Sequence, residues 1–311
     1  MTSFKTAANA ACQEMRTLFP ATPLQKNEYL SNLYGAEIYL KREDLSPVRS
    51  YKIRGAFNAM RKALAAGETA QFVCASAGNH AQGVAYACAH FGVKGRIFMP
   101  VTTPQQKIGK TAAFGGTSVE IILQGDYFDE TLKAATNYAA QNNAAMLPPY
   151  DHLDVIEGQA SVGIEILDQM TTAPDLIVTP VGGGGLSSGL VQVFDGTDTD
   201  FRFCEPMGGR SLFEALNAGE LVTLDHVDNF VDGAAVARIG DRNFEALKGQ
   251  NAKHVLGIPE GRICSTITEM LNIEGIVLEP AGALAIDALK DLRGEIAGKT
   301  VVCIASGGNF D

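Results

Sequence analysis

The 311-residue sequence lacks several features that assign a protein quickly. No apolar run approaches the roughly 20 residues that span a bilayer. The opening "MTSFKTAANAACQEM" has neither the basic start nor the long apolar core of a secretory signal. Cationic residues are the minority, 25 Lys and Arg against 35 Asp and Glu, for a net charge of −10. That balance argues against nucleic-acid or anionic-membrane binding, which would need a basic face. The six cysteines (Cys12, Cys74, Cys88, Cys204, Cys264 and Cys303) form no CxxC pair and no metal-ligand spacing. Cys74 and Cys303 fall inside apolar, strand-like runs. All six are expected to be reduced and mostly buried, in a cytoplasmic protein without a metal site. Trp is absent, which excludes nothing, and no linker-like or low-complexity segment interrupts the chain.

What is present is alternation. The length exceeds one ordinary compact core and points to two domains or one large α/β unit. Short β-rich runs alternate with helical patterns, which is the signature of parallel sheet covered by helices. "FVCAS" (72–76), "GRIFMP" (95–100), "TSVEIIL" (117–123), "AAMLPPY" (144–150), "DLIVTPV" (175–181), "FRFCEP" (201–206), "GIVLEP" (275–280) and "TVVCIAS" (300–306) read as strands, the fourth a short strand and turn. Helices are expected from "AGNHAQGV" to a stop at Gly92, and from Pro104 at a first helical position. Others are expected over 126–142, 153–170, 211–218, 260–273 and 281–293.

Three strand-to-helix turns share a character. "FVCASAGNH" and "VVCIASGGNF" each run from an apolar strand through Ser, a small residue and Gly to Asn. "TPVGGGGLSSG" is a third turn of this kind. Open α/β sheets place ligands at such strand ends. Gly182, Gly183, Gly184 and Gly185 let successive backbone N–H groups turn toward an anion at a helix N-terminus. Four glycines exceed what a tight turn with close strand–helix packing requires, which favours phosphate. The loop is neither GxGxxG nor a P-loop, and Glu205 is the nearest acidic residue for a dinucleotide site.

A second oddity is "SYKIRGAF" (50–57). Ile53, Phe57, Met60 and Leu64 have helical spacing, yet Arg49, Lys52 and Arg54 crowd a first turn where acidic residues are favoured. A positive helix end and two arginines would depress the pKa of Lys52. An isolated lysine is ordinarily a surface cation. Beside a phosphate cradle, a lysine with a depressed pKa suggests pyridoxal phosphate, whose aldehyde condenses with a lysine amine.

Taken together, "KREDLSPVRSYKIRGAFN", "ASAGNHAQGVA", "PVGGGGLSSG", "EPAGALA" and "SGGN" resemble, in order and over nearly the whole chain from Thr22, the fold-type II pyridoxal-phosphate enzymes, specifically threonine dehydratases. The resemblance implies the tryptophan synthase β-like α/β fold, two open twisted domains with the cofactor between them. The larger would comprise 1–42 and 148–311, and the smaller 43–147, inserted into it. It implies Lys52 as the residue bonded to the cofactor and as the general base, with Tyr51 packed against the ring and Asn79 bonded to the ring hydroxyl oxygen. Gly182, Gly183, Gly184, Gly185 and Leu186 would bind the phosphate, and Ser306 the pyridine nitrogen. Ser76, Ala77, Gly78, Asn79 and His80 would hold the substrate carboxylate. The implied reaction is β-elimination of L-threonine to 2-oxobutanoate and ammonia, with L-serine giving pyruvate, in a cytoplasmic homodimer or homotetramer serving amino-acid metabolism and isoleucine biosynthesis.

Departures from the family pattern shape the alternatives. Related serine racemases carry a second serine where this chain has Ala77, which argues against racemisation. "EPMGGR" supplies Glu205 but no second acid for a metal. Long biosynthetic members add a C-terminal regulatory domain, and none is expected within these residues. Glu279 in "LEPAG" either lies near the cofactor or caps the following helix. His90, His152, His226 and His254 are expected at the surface. The alternatives are serine racemisation or 3-hydroxyaspartate dehydration on the same cofactor. From another class come a nucleotide-binding oxidoreductase and a non-catalytic binding protein.

Overall fold

A computed structural model describes residues 3–67 and 71–310. Ten strands appear among these residues: β1 (Leu24–Lys26), β2 (Glu37–Arg42), β3 (Gln71–Ala75), β4 (Lys94–Met99), β5 (Val119–Leu123), β6 (Ala145–Met146), β7 (Leu176–Pro180), β8 (Asp200–Pro206), β9 (Val255–Ile258) and β10 (Thr300–Ala305). They form two sheets. One has six strands in the order β1-β2-β10-β7-β8-β9, and the other four in the order β5-β4-β3-β6. Only the β1–β2 pair is antiparallel. Parallel strands covered by helices on both faces read as continuous apolar runs, and β7 is buried at all five positions. Separate apolar cores fill the two faces of the large sheet. The small sheet has its own cores, where Phe72, Cys74, Ile97 and Met99 face one side and Val73, Ala75 and Phe98 the other.

Most sequence-predicted strands and helices recur with end shifts of three residues or fewer; the strand expected over 144–150 is confined to Ala145–Met146, the helix expected over 281–293 divides into Pro280–Asp287 and Leu289–Leu292, and one expected strand is absent. "GIVLEP" is not a strand. Ile276 and Leu278 are buried while Val277 is 42% exposed, so the alternation is real. No neighbouring strand offers this segment a ladder. It leaves the Glu260–Glu274 helix through a left-handed Gly275 and runs irregularly into the helix Pro280–Asp287. Alternation reports one buried face, whereas a strand also needs a hydrogen-bonded neighbour. Pro104 likewise sits one residue before its helix, with extended backbone (ψ 139), and Gln105 is the first helical residue. The strands β1, β2 and β9 and the helices Phe4–Met15, Glu28–Tyr34 and Asp241–Leu247 have no counterpart in the sequence reading. Five cysteines are buried and Cys264 is exposed, all of them free. No helix among the described residues is long and apolar enough to cross a membrane.

Candidate active site

The C-terminal ends of β3, β7 and β10 open into one cavity of about 760 Å³, although β3 belongs to the small sheet and the other two to the large one. The three Gly/Ser-rich turns therefore converge. Lys52, Tyr51, Ser76 to His80, Gly182 to Gly185 and Ser306 all line this cavity. Leu186 does not line it; its side chain is buried in the large-sheet core.

Lys52 arrives there through a backbone device. Residues 49–51 lie antiparallel to 306–308, with a bridge between Ser50 and Gly307. The Tyr51 N–H donates to Ser306 O (3.1 Å), and the Gly308 N–H to Arg49 O (2.9 Å). Arg49 takes a left-handed conformation, φ 58°, to make the turn, an uncommon choice outside glycine. Lys52 then begins the helix Lys52–Ala65, and its Nζ donates to Pro149 O (2.9 Å) between the rings of Tyr51 and Tyr150.

Burial lowers the Lys52 pKa from 10.5 to about 8, and the Glu279 carboxylate opposes the shift. The direction matches the sequence expectation but the cause does not. Arg49 is occupied with Gly308 O (3.1 Å). Arg54 is completely buried in an ion cluster with Glu43 and Glu165. Neither arginine accounts for the shift; removal of the ammonium from water does.

The glycine turn has mixed reasons for its composition. A Cβ on Gly183 would run into the Tyr150 ring, and Gly184 has φ +90°. Asn243 Nδ2 clamps Gly183 O at 2.7 Å and receives the Ser188 hydroxyl on its Oδ1 at 2.8 Å. Packing alone thus demands glycine at 183 and 184. The turn also opens the helix Gly185–Val193, whose first N–H groups have no intrahelical acceptor and present a positive end.

Asn79 is the first residue of the helix Asn79–Phe91. Its Nδ2 donates to Glu279 Oε1 (2.7 Å), and its Oδ1 accepts from Asn309 Nδ2 (2.7 Å). Within the same loop the Gly78 N–H donates to Ser76 Oγ at 3.2 Å, while Ala77 contributes no polar side chain. His80 Nε2–H donates to Leu147 O at 2.9 Å; a carbonyl only accepts, so Nδ1 is the bare nitrogen. Burial and nearby Lys52 lower its pKa to about 3. It is a neutral, committed side chain. The Ser306 hydroxyl has a weak 3.3 Å bond to Ala281 O.

Tyr150, Pro149 and Asn309 were missed in the sequence. Asn309 ends the noted "SGGN"; for Tyr150 no local signal existed. Glu279 lines the cavity and makes no side-chain cap on the helix it precedes. Glu205 lies elsewhere. Its carboxylate accepts the N–H groups of Leu212 (2.7 Å) and Phe213 (3.0 Å), and burial raises its pKa to about 7. Among the described residues no group of three or more His, Cys, Asp or Glu could hold a metal.

A buried amine of lowered pKa, an anion-binding helix start and convergent amide and hydroxyl groups are the donor set that an aldehyde-bearing, phosphorylated cofactor requires. Residues 16–307 match the model of the pyridoxal-phosphate dependent enzymes, and the chain belongs to that family. Within it, the sequence is similar to the biosynthetic L-threonine dehydratase IlvA of Bacillus subtilis, at 45% identity over 97% of this chain and 72% of that protein. The fold is similar to the processed threonine deaminase isoform 2 of Solanum lycopersicum, with TM-score 0.92 and 33% identity over 99% of this chain and 84% of that one. It is also similar to the serine racemase of Dictyostelium discoideum, with TM-score 0.89 and 26% identity over 100% and 99%. The protein is a pyridoxal-phosphate enzyme.

Proposed function

We propose that the protein converts L-threonine to 2-oxobutanoate and ammonia, and L-serine to pyruvate and ammonia. The observation that carries this is the 45% identity to an L-threonine dehydratase over 97% of the chain, in a chain whose Lys52, glycine turn and Asn79 loop line one cavity.

Bound pyridoxal phosphate supplies an aldehyde for amine exchange and a ring that withdraws electrons from the carbon bearing the amine. The protein does the rest. Lys52 would be the residue to which the cofactor attaches. Its Nζ, far more often neutral than an exposed lysine at physiological pH, takes the proton from the substrate Cα. The N–H groups of Gly182 to Gly185, with the backbone N–H of Leu186 behind them, would hold the phosphate. Tyr51 would pack beside the ring, Asn79 would meet the ring hydroxyl oxygen, and Ser306 would face the ring nitrogen. A hydroxyl there does not hold a proton on that nitrogen as a carboxylate would, which suits loss of the β-substituent over prolonged charge storage. Backbone groups of Ser76 to His80 at a helix N-terminus hold the substrate carboxylate. The Cβ–O bond breaks with loss of water. The released unsaturated amine regains water and yields the keto acid and ammonia, so each substrate gives one of each.

Two open α/β domains, 43–147 inserted between 1–42 and 148–311, would flank the cofactor. We place the enzyme in the cytoplasm as a homodimer or homotetramer supplying isoleucine biosynthesis. The likeness to a serine racemase favours one second reading, racemisation of serine. Ala77 lacks the hydroxyl that a second acid–base face would use.

The test is a substrate panel on purified protein: L-threonine, L-serine and 3-hydroxyaspartate, reading keto acid and ammonia, with serine enantiomers followed in parallel. L-threonine is expected to be preferred, and Lys52→Ala to cost at least about 10²–10⁴-fold in rate. Interconversion of serine enantiomers faster than ammonia release would overturn the assignment.

A further inference from the structure

The hydrogen bonds around Asn79 determine more than its location. Asn309 Nδ2 has two acceptors, Val48 O (2.8 Å) and Asn79 Oδ1 (2.7 Å). A backbone carbonyl can only accept, so the Asn309 amide cannot be turned over. At the other end, Asn79 Nδ2 faces Glu279 Oε1 at 2.7 Å, and a carboxylate also accepts. The two ends therefore impose the same orientation on the Asn79 amide, each independently of the other. Glu279 is 7% and Asn309 8% exposed, so water does not compete freely for these bonds. The chain Val48 O, Asn309, Asn79, Glu279 links four segments far apart in sequence, of which Asn309, Asn79 and Glu279 line the cavity.

We propose that Glu279 and Asn309 are positioning residues that lock the Asn79 carboxamide in one orientation, leaving its second Nδ2 hydrogen as the only one it can offer the cofactor. This rests on the cofactor reading above and deepens it. The bond that Asn79 Oδ1 accepts from Asn309 polarises the amide and strengthens its remaining N–H as a donor. Two glycines reserve the space. A Cβ on Gly307 would collide with the Glu279 carboxylate, and Gly308 stands against Arg49 and Asp44. The "SGGN" glycines thereby have a packing reason: they let Glu279 approach and bring Asn309 to Asn79. Glu279 also opposes the burial-driven fall in the pKa of Lys52, so its charge is felt at Lys52 as well as at Asn79.

The experiment is a mutant cycle on the full-length, cofactor-free protein titrated with pyridoxal phosphate. Affinity is read by equilibrium dialysis, and the pH dependence of the bound cofactor's absorbance is recorded alongside. Glu279→Gln, Glu279→Ala and Asn309→Ala are made alone and in an Asn79→Ala background. Each alone is expected to weaken affinity about tenfold or more and to shift the absorbance titration, with Glu279→Gln the mildest. In the Asn79→Ala background the same changes should cost little further, because they act through Asn79. Additive losses in that background, or unchanged affinity and spectra in the single variants, overturn the proposal. Should Glu279→Ala fail to fold, the nearly isosteric Glu279→Gln and Asn309→Ala, which leaves Glu279 in place, decide. Wild-type protein that bound no pyridoxal phosphate would sink the cofactor reading itself, a result distinct from normal wild-type binding with additive variants.

Discussion

At the scale of single residues, Lys52 illustrates how a side chain acquires chemistry. Its helix-start position and basic neighbours made it conspicuous in the sequence. Its lowered pKa comes from burial, while the arginines that suggested the shift are engaged elsewhere. In the cofactor-free protein, the rate of amine labelling at Lys52, followed by mass spectrometry, should inflect near pH 8 where an exposed lysine inflects near 10.5. Glu279→Gln removes a charge that favours the ammonium, so the inflection should move lower still. An inflection left near the exposed value would contradict the burial argument. His80 shows the converse. It stands in the most suggestive loop of the sequence, yet its bond to Leu147 O and its lowered pKa leave it neutral and committed.

At the scale of elements, the turn after β7 serves packing and ligand together. Tyr150 lies against Gly183, and Asn243 holds the turn's carbonyl. Gly183→Ala should displace the Tyr150 ring and tilt the N–H groups that open the next helix. Weaker pyridoxal phosphate binding, by about tenfold or more, and a lower melting temperature are expected. Unchanged affinity would mean that the ring moves aside at no cost. The three turns were legible because Gly, Ser and Asn after an apolar run are local signals. "GIVLEP" misled for a related reason: its alternation is local, while the missing neighbour that disqualifies it as a strand is not.

At the scale of the molecule, the Lys52 helix is anchored by charge as well as by apolar packing. Arg54 bonds to Glu43 through Nε (2.7 Å) and Nη2 (2.8 Å), and to Glu165 through Nη1 (2.9 Å) and Nη2 (2.8 Å). Lys41 bonds to Glu165 at 2.6 Å, and Arg16 completes the group. Arg54, Lys41 and Glu43 are fully buried and Glu165 nearly so. The cluster joins the Lys52–Ala65 helix to the end of β2 and to the helix Leu153–Gln169. Removing one member leaves uncompensated charge away from water. Arg54→Met should therefore cost about 3–5 kcal/mol in urea unfolding. A loss under about 1 kcal/mol would show that water reaches the cluster and replaces the bonds.

The sequence by itself determined the alternation of strands and helices, the three ligand-bearing turns and the singular lysine. Each of these is written in neighbouring residues through periodicity, glycine freedom and helix-start chemistry. Only the tertiary structure decided that turns from two different sheets face one cavity, that Tyr150 and Asn309 belong there, and which way the Asn79 amide points. Those outcomes depend on burial and on hydrogen-bond partners 97 to 230 residues away. Desolvation and pairing are properties of a packed environment, and no short stretch of chain carries them.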